Sequence, residues 1–357
     1  MTIVITVPDV KSGGGLSKFI YTLSGALADS GFDVHVVTTH SSEQDNAMNV
    51  HNFHKNVVLH SSANRNIVLR YFRTWKKLRS LCPDVIINNY NGVVQYLLPL
   101  VPRKVKVIHV IHGVIDDFYR IASINAKYVS AWVTPTPAVA NQFNAYTRNW
   151  YKQKVFVIPH GVAANLSELN KASKVPELTF VGVLYEHKGA HLLPGIIKGI
   201  AERNIPFLFN VVGDGVLRSQ LEGELSNEIE REIVHFTGVV PSSRVYEILS
   251  RTTIFVYPTQ LDSFGLVIAE AMMCGAVPVV SHLEGITDNL VDDGRTGFLV
   301  PVDDTDAFVD KIKFLLQNPS VLQTMQIATK EEAEQKFSLK IMSDNYVSLF
   351  NSLLNKI

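Results

Sequence analysis

Residues 257–301 read YPTQLDSFGLVIAEAMMCGAVPVVSHLEGITDNLVDDGRTGFLVP. The stretch opens at the end of a β-rich run, Ile254 to Tyr257, and passes through a polar loop into an apolar pattern with helical spacing. Two more strand patterns follow, at Val277 to Val280 and at Gly297 to Val300. Short strands that alternate with helices predict a parallel sheet of the α/β class.

Two carboxylates stand out in this stretch. Asp262 and Glu270 are eight residues apart, and a helix that ran through both would offset them by only about 80°. We therefore expect both side chains to face one cleft. Asp262 or Ser263 is a good N-cap residue for such a helix.

The start of the same helix is predicted to bind a ligand through its backbone. The first N–H groups of a helix have no partner within the helix, and here they belong to Phe264, Gly265 and Leu266. Gly265 would let a ligand approach the backbone closely. Together with Ser263, these residues suit a polyhydroxylated molecule that carries phosphate.

The segment resembles the signature region of the retaining glycosyltransferases of family four, the group 1 glycosyltransferases. Their pattern is E-x7-E, then G-x-P-V-(V/I)-x, then D-G-x-T-G-x-L-V. This chain has D-x7-E, then Gly275 to Val280, then DGRTGFLV from Asp293. Asp262 replaces the first Glu and shortens its reach by one methylene. The resemblance implies the GT-B fold, in which two Rossmann-like domains face each other across a cleft.

Size and composition fit that expectation. A chain of 357 residues exceeds a typical single core and suggests two domains. Cys82 and Cys274 match no metal or redox spacing, which fits a reducing cytosol. The first residues lack the features of a signal peptide, and the longest apolar runs fall short of the roughly 20 residues of a membrane span. We expect a cytoplasmic protein, either soluble or peripheral on the inner face of the membrane.

Charge is spread unevenly along the chain. Residues 1–160 hold 17 Lys and Arg against 8 Asp and Glu, whereas residues 161–357 hold 16 against 25. The first part is therefore +9 and the second −9. Either the first part faces an anionic partner, or the two parts attract each other.

The beginning of the chain predicts a βαβ unit. Its elements are a strand at Ile3 to Val7, a helix at Leu16 to Ser30 and a strand at Val34 to Thr38. Gly13, Gly14 and Gly15 precede the helix, where ligand phosphates or hydroxyls can meet its N-terminus. A flexible glycine turn is the alternative, and the motif is not the G-x-G-x-x-G dinucleotide fingerprint.

A basic amphipathic helix is predicted at Asn64 to Leu81, NRNIVLRYFRTWKKLRSL, which has six Lys and Arg and no acidic residue. Such helices often lie on anionic membranes. Arg70, Arg73, Lys76 and Lys77 are then candidates for membrane or acceptor contact. Alternatively, the apolar stripe packs on the first sheet and the cations face water.

His112 follows a predicted strand at Val105 to Ile111. The carboxyl ends of parallel strands are where such sheets bind ligands, although a buried or capping histidine is the alternative. The resemblance implies that His112 contacts the donor sugar near the reaction centre.

The end of the first domain is marked by VFVIPHGV, residues 155–162, which resembles the family's V-x-x-I-P-N-G-V with His160 in place of Asn. We predict domains at residues 1–164 and 165–339, joined by a linker at Asn165 to Pro176. The second begins with a strand at Leu178 to Val181. The resemblance implies that the last helix, at about 340–357, crosses back to the first domain.

Residues 180–189, FVGVLYEHKG, resemble the family's F-V-G-R-L-x-x-x-K-G, in which Arg and Lys neutralise the donor diphosphate. Lys188 is present, Gly182 is a donor-binding candidate, and Val183 replaces the Arg. A fixed cation can lower the barrier by about 3 kcal/mol. The substitution implies that another cation helps, that backbone amides carry more of the diphosphate, or that activity is weak.

Two further motifs complete the predicted donor site. VVGDG at residues 211–215, followed by Arg218, resembles V-x-G-x-G-x-x-R-x-x-L. Arg218 either replaces the missing guanidinium in part or is solvated. HFTG at residues 235–238 resembles the family's F-x-G strand end, whose backbone reads the nucleobase, so Thr237 is also a donor-binding candidate.

The sequence therefore predicts a retaining glycosyltransferase. It would move a sugar from a nucleotide diphosphate sugar, with UDP favoured and GDP second, to a saccharide or lipid-linked saccharide of a bacterial surface polysaccharide such as lipopolysaccharide. By resemblance, Glu270 holds the ribose, Asp262 the sugar hydroxyls and Lys188 the diphosphate. No D-x-D motif ends a strand, so we expect no metal. We also expect no cofactor and no nucleic-acid partner. The alternatives are a nucleotide-sugar epimerase of the same fold and a non-catalytic sugar-nucleotide-binding subunit.

Overall fold

The computed structural model describes residues 1–10, 14–42, 44–45, 52–163, 175–202 and 205–355. The chain divides into two compact units. Unit 1 comprises Met1–Gly161 and Leu339–Ile357, and unit 2 comprises Val162–Ser338. Gly13 and most of the predicted linker, residues 165–174, lie outside the described residues.

Unit 1 contains a parallel sheet of seven strands within the described residues. Its order is β3-β2-β1-β4-β5-β6-β7. The strands are β1 (Thr2–Val7), β2 (Asp33–Thr38), β3 (Val57–Ser61), β4 (Val85–Asn89), β5 (Lys106–Val110), β6 (Ala131–Thr134) and β7 (Val155–Val157). The helices between them are α1 (Gly15–Asp29), α2 (Ile67–Leu81), α3 (Gly92–Leu97), α4 (Asp116–Ser123) and α5 (Pro137–Tyr146).

Unit 2 contains a second parallel sheet, of six strands in the part of the chain that is described, in the order β10-β9-β8-β11-β12-β13. The strands are β8 (Glu177–Val181), β9 (Leu208–Val212), β10 (Val234–Gly238), β11 (Ile254–Tyr257), β12 (Val277–Ser281) and β13 (Phe298–Val300). The helices are α6 (Leu193–Ala201), α7 (Arg218–Glu224), α8 (Ser226–Glu230), α9 (Ser242–Leu249), α10 (Leu266–Met273), α11 (Thr305–Gln317) and α12 (Pro319–Phe337).

The last helix, α13 (Leu339–Leu354), follows unit 2 in sequence but packs in unit 1. Its side chains Met342, Tyr346 and Phe350 join the apolar cluster formed by β1, β2 and α1. The hydroxyl of its Ser343 lies 2.8 Å from the hydroxyl of Ser30, just after α1. Unit 1 is therefore built from two separate pieces of the chain.

Both faces of the first sheet are buried. Alternate residues of β1 belong to two different apolar clusters. Ile3 and Ile5 pack with α1 and α13. Val4 packs with residues of α2, α3 and α5. A strand covered on both faces has a nearly continuous apolar sequence. The predicted parallel α/β class is confirmed.

The strand order reverses once in each sheet, between β1 and β4 in unit 1 and between β8 and β11 in unit 2. Loops on the two sides of such a switch point leave in opposite directions and open a crevice at the carboxyl ends of the strands. A ligand site is therefore expected at each of the two switch points. Among the described helices, none is both long and apolar enough to cross a bilayer.

Candidate functional site

The crevice of unit 2 holds an ion pair. Lys188 lies in the loop after β8 and Asp262 in the loop after β11, the two strands that flank the switch point. Lys188 Nζ is 2.9 Å from Asp262 Oδ2, and it also donates to the Leu261 carbonyl at 3.1 Å. The Lys188 and Asp262 side chains are only 19% and 16% exposed. The structure thus brings together two of the predicted catalytic residues.

The carboxylate of Asp262 accepts further hydrogen bonds. Its Oδ1 receives the amides of Ser263, Phe264 and Gly265 at 2.8, 3.3 and 3.1 Å. Its Oδ2 receives the hydroxyl of Tyr257 at 3.1 Å. Burial raises the pKa of Asp262, but Lys188 and the amides outweigh that effect and hold the pKa below its ordinary value. Asp262 is therefore a fixed anion.

The geometry corrects the predicted start of the helix. Helix α10 begins at Leu266, and its N-cap is Gly265 with φ of 85° rather than Asp262 or Ser263. A side chain at residue 265 would be strained, and its Cβ would lie 2.8 Å from Ile268 Cδ1. The estimate of about 80° between the two carboxylates assumed a continuous helix, and it is wrong for this loop.

The backbone amides also differ from the prediction. Those of Phe264 and Gly265 point to Asp262 Oδ1 instead of an open cleft, because the shorter Asp side chain folds back onto its own loop. Within the described chain, the amides of Leu266 and Val267 show no hydrogen-bond acceptor. These two N–H groups are the ones that a ligand can use at this helix terminus.

Glu270 lies inside unit 2, with only 3% of its surface exposed. It belongs to α10, whose residues from Ile268 to Met273 are all buried. Burial raises the pKa of Tyr246, and the neighbouring charge of Glu270 raises it further. A carboxylate is costly to bury unless it has polar partners. The contact of Glu270 with ribose stays a prediction.

The glycines at the strand ends are needed for backbone packing. A Cβ on Gly213 would lie 1.9 Å from the Gly182 carbonyl oxygen, and one on Gly215 would lie 2.5 Å from the Leu184 carbonyl oxygen. The loops after β8 and β9 therefore touch backbone to backbone. This packing accounts for the glycine spacing, and the role of Gly182 in donor binding stays a prediction.

Arg218 is not a free cation. Its guanidinium pairs with Asp214 at 3.2 Å and with Glu222 at 2.8 Å. Hydrogen bonding to Glu222 is the main reason that the pKa of Arg218 is raised. Two nearby carboxylates offset its charge, which weakens its candidacy as a substitute for the arginine missing at Val183.

Two further positions of unit 2 are exposed, namely Val183, where the family pattern has Arg, and the donor-binding candidate Thr237. Val183 is 45% exposed immediately after β8, so an arginine could be accommodated there. Thr237 lies on the edge strand β10, where its hydroxyl donates to the Gly238 carbonyl at 3.1 Å. Recognition of the nucleobase by this strand end stays a prediction.

In unit 1, His112 is held at the end of β5. Its Nε2 is 2.9 Å from Asn89 Oδ1, at the end of the neighbouring strand β4. Its ring contacts those of Phe19 and His160, with centroid distances of 5.0 and 5.7 Å, and those two rings also contact each other at 4.3 Å. Burial lowers the pKa of His112 to about 3, so the ring is neutral. The sequence did not predict the roles of Asn89 and His160 around it.

Gly14 and Gly15 lie at the N-terminus of α1. Gly14 is the N-cap residue, makes no side-chain cap, and has open space where a Cβ would be. Packing therefore does not require glycine at residue 14. Ligand binding by Gly14 and Gly15 at this helix N-terminus stays a prediction.

Helix α2 exposes both its cations and much of its apolar surface. Ile67, Val68, Leu69 and Phe72 are 62, 70, 47 and 55% exposed. Within this helix only Thr74 and Leu78 are buried. The alternative that the whole apolar stripe packs on the sheet is therefore wrong for the first two turns.

The four cations assigned to membrane or acceptor contact lie on the same helix. Arg70 Nε donates to the Asn64 carbonyl at 3.0 Å, and Arg73 donates to the Ala63 carbonyl at 3.3 Å. Lys76 is exposed and Lys77 is half-buried. The two arginine contacts are to backbone carbonyls, so they leave the positive charges without neutralisation.

Comparison with known proteins identifies the family. The model for glycosyl transferases group 1 matches residues 163–334, and the model for glycosyltransferase family 4 matches residues 13–166. The two matches together span most of the chain. They meet near the boundary between the two units.

Individual relatives agree with that result. Alpha-maltose-1-phosphate synthase of Mycolicibacterium smegmatis is 30% identical over 202 residues, which is 53% of this chain and 51% of that protein. An uncharacterized glycosyltransferase of Methanocaldococcus jannaschii is 25% identical over 339 residues, 91% of each chain. CapM of Staphylococcus aureus, a capsular polysaccharide biosynthesis glycosyltransferase, is 28% identical over 183 residues, 50% of this chain and 46% of CapM. The first and third matches span about half of the relative's length.

The fold has solved counterparts. The pneumococcal O-GlcNAc transferase GtfA, crystallised with UDP and GlcNAc, superposes with a TM-score of 0.81 at 14% identity, over 100% of this chain and 99% of GtfA. This likeness confirms two Rossmann-like domains of the GT-B type. The chain belongs to the family 4, group 1 glycosyltransferases.

Proposed function

We propose that the chain is a retaining glycosyltransferase that moves a sugar from a nucleotide diphosphate sugar to a hydroxyl group. The observation that carries this proposal is the Lys188–Asp262 pair at the switch point of unit 2. Nucleotides bind in such crevices of parallel sheets. A fixed cation there is suited to a leaving group that departs with negative charge.

Each residue has a proposed task. Lys188 stabilises the departing diphosphate, and Asp262 binds hydroxyls of the donor sugar. Glu270 binds the ribose. The N–H groups of Leu266 and Val267 bind phosphate or sugar oxygens. His112 contacts the donor sugar, as the resemblance to the family implies.

The reaction replaces one C–O bond with another. The bond between the anomeric carbon and the diphosphate breaks, and the acceptor oxygen bonds to the anomeric carbon on the same face. The proton of the acceptor hydroxyl goes to the departing diphosphate oxygen as the nucleoside diphosphate leaves. In this proposal Lys188 and the backbone amides meet the developing charge, so no dedicated metal is required. Since Lys188 is already paired with Asp262, the diphosphate must share that cation or displace the carboxylate.

The donor and the acceptor are also proposed. UDP is favoured over GDP, and the UDP and GlcNAc in the pneumococcal counterpart support that choice. The acceptor is a saccharide or a lipid-linked saccharide of a bacterial surface polysaccharide. The similarity to a capsular polysaccharide enzyme supports that part.

A donor screen followed by product analysis tests the proposal. The true donor, drawn from UDP-, GDP- and ADP-sugars, should raise the unfolding temperature, because a ligand at 100 times its Kd stabilises the folded state by about 2.7 kcal/mol. Nucleoside diphosphate should then be released only when an acceptor is added. The product should keep the donor's anomeric configuration by proton NMR, with the same rate in EDTA.

The alternatives give different outcomes in the same assay. Sugar isomerisation without an acceptor would identify an epimerase. Donor binding without turnover on any saccharide acceptor would identify a non-catalytic subunit. Inversion at the anomeric carbon would contradict the retaining mechanism while leaving the transferase assignment intact.

We further propose that unit 1 contacts an anionic membrane through α2, which would suit a lipid-linked acceptor. The first two turns of α2 combine four exposed apolar side chains with cations and no acidic residue. Exposed apolar groups of this kind mark interaction surfaces. A bilayer interface accepts the apolar side chains while its anionic headgroups attract the cations.

Liposome flotation tests the membrane contact. Each Lys or Arg near an anionic surface contributes about 1 kcal/mol, so changing Arg70, Arg73, Lys76 and Lys77 to Gln should release the protein from phosphatidylserine vesicles. A second variant, Val68→Ser with Phe72→Ser, should weaken binding with less dependence on salt. Lys340→Gln, at an 81% exposed position of the same unit, is the matched control. If the unmodified protein does not bind anionic vesicles at low salt, the membrane proposal is wrong.

A further inference from the structure

Asn89 and His112 stand at the ends of adjacent strands of unit 1. Asn89 is the last residue of β4, on one side of the switch point, and it pairs in register with Val110 of β5. His112 follows β5 by two residues, and its Nε2 lies 2.9 Å from Asn89 Oδ1. Asn89 is fully buried. This contact joins an otherwise unassigned residue to one that the proposed function places at the donor sugar.

The amide of Asn89 can face His112 in only one orientation. Its Nδ2 donates to the carbonyl oxygens of Thr6 and Ile87, at 3.4 and 3.2 Å. Carbonyl oxygens only accept hydrogen bonds, so the nitrogen must face them and the oxygen must face the histidine. Because Oδ1 also only accepts, the Nε2 of His112 must carry the hydrogen.

The other ring nitrogen of His112 then has a lone pair. A neutral imidazole holds one hydrogen, so a hydrogen on Nε2 leaves Nδ1 as an acceptor. The low pKa of His112 agrees with a neutral ring. In the described part of the chain, no hydrogen bond to Nδ1 is seen. Nδ1 is therefore available to a ligand group that donates a hydrogen, such as a sugar hydroxyl.

We propose that Asn89 is a positioning residue, which locks His112 as the Nε2–H tautomer and thereby presents the Nδ1 lone pair to a hydroxyl of the donor sugar. The sugar contact rests on the proposed function, whereas the tautomer does not. Loss of a residue that orients a metal-bound histidine typically lowers metal affinity or activity by about 10- to 100-fold, and we expect an effect of that order for Asn89.

His109 provides an internal reference for the tautomer. It lies three residues before His112, and its Nδ1 is 2.9 Å from Gln95 Oε1. Asn88 Nδ2 is farther from that nitrogen, at 3.4 Å, and donates to Gln95 Oε1 at 2.8 Å instead. Gln95 Nε2 donates to the Ile124 carbonyl at 2.6 Å, so Oε1 must face the histidine. The same reasoning therefore gives His109 the opposite tautomer, with its hydrogen on Nδ1.

Long-range proton–nitrogen NMR of the full chain with 15N-labelled histidine tests the tautomers directly. We expect the hydrogen on Nε2 in His112 and on Nδ1 in His109, with the signals assigned from His112→Gln and His109→Gln. Asn89→Ala should give His112 a mixture of tautomers and leave His109 unchanged. Asn91→Ala is the matched control, since this buried amide accepts from Thr39 and Val94 instead. It should leave both histidines unchanged.

Steady-state kinetics tests the functional part. Asn89→Ala should lower kcat about tenfold or more, with donor KM changed less than threefold. Asn89→Asp keeps an acceptor for Nε2–H and should retain the tautomer.

A hydrogen on Nδ1 of His112 in the unmodified protein, or an Asn89→Ala protein with the original tautomer, would overturn the inference. Loss of tautomer control without a change in kcat would overturn its catalytic part. An unmodified protein that lacks transferase activity would contradict the proposed function and leave the tautomer test standing.

Discussion

Lys188 and Asp262 join the two loops that flank the switch point of the second sheet, with Nζ 2.9 Å from Oδ2. The Tyr257 hydroxyl and three amides fix the carboxylate from its other sides. The cation expected to meet the diphosphate is thus held in place before any ligand arrives. Such preorganisation is the main source of electrostatic stabilisation in enzyme sites.

Lys188→Ala should lower kcat/KM by about 10²-fold or more, because the departing diphosphate would lose its fixed cation. Initial rates with the donor found by the thermal screen provide the measurement. Lys340→Ala, which removes an exposed lysine 2.6 Å from Asp344, is the matched control and should have no effect. Full activity of the Lys188 variant would show that the diphosphate binds elsewhere.

Asp262→Asn and Glu270→Gln should separate turnover from affinity. Asn keeps an oxygen for the three loop amides but loses the charge, so kcat should fall more than donor affinity. A ribose contact acts equally in the ground and transition states, so Glu270→Gln should raise donor KM with a smaller effect on kcat. Calorimetric donor binding beside steady-state rates measures both quantities. If both variants kept the donor affinity and kcat of the unmodified protein, the site assignment would be contradicted.

Val183→Arg should increase donor affinity or turnover, because it restores the cation that the family pattern has at this position. Val183 is 45% exposed, so the longer side chain has room. The matched control is Val216→Arg, at a 74% exposed position of the same unit. An equal gain in both variants would point to nonspecific attraction of the anionic donor.

Gly189→Ala should destabilise unit 2 by about 3 kcal/mol or more. Gly189 has φ of 70°, and a Cβ there would lie 1.8 Å from the Pro258 carbonyl oxygen. Gly223→Ala, in α7 with open space around it, should be neutral or stabilise by up to about 1 kcal/mol. Urea unfolding of the two variants provides the comparison. Similar midpoints would mean that the loop can move away from Pro258.

Unit 1 should lose stability as the pH falls below 6.5. Burial lowers the pKa of His60 to about 4 and of His109 and His112 to about 3, and the pKa of His160 is also well below its ordinary value. Between those values and 6.5 the unfolded chain binds protons that the folded unit does not. In that pH range each histidine lowers the free energy of unfolding by up to about 1.4 kcal/mol for every pH unit of acidification.

Calorimetry between pH 7.5 and 5 should show this effect as a falling transition temperature for unit 1. His160→Asn removes one of these four histidines. The number of protons taken up on unfolding, which sets how steeply stability depends on pH, should then fall by about one. Asp262, in unit 2, has a lowered pKa, so its contribution is lost only below its ordinary value of 3.8. A transition of unit 1 that is independent of pH would show that the histidines are protonated in the folded state.

The sequence predicted the regular elements well because their patterns are local. Strand β11 matches the predicted Ile254 to Tyr257, and α1 differs from its prediction by one residue at each end. The start of α10 failed because Gly265 adopts a positive φ, which the apolar periodicity after Asp262 does not reveal. A single backbone conformation thus decided which way the carboxylate points.

Contacts between distant residues could not be predicted in the same way. The Lys188–Asp262 pair depends on β8 and β11 being neighbours in the sheet, and Asn89 meets His112 only because β4 and β5 pair in one register. The two carboxylate partners of Arg218 are different, because Asp214 and Glu222 each lie four residues from it, a spacing from which helical ion pairs can be predicted. The motifs identify residue types, whereas strand pairing determines which side chains meet.

The position of α13 also constrains how the protein is made. A ribosome releases residues 1–161 long before Met342, Tyr346 and Phe350, which complete the apolar cluster on one face of the first sheet. All of residues 162–338 must be synthesised in between, so for about half of its translation the growing chain has this sheet face covered by α1 but not by α13. Unit 2, which is continuous in sequence, can finish folding first although it is the second to be translated.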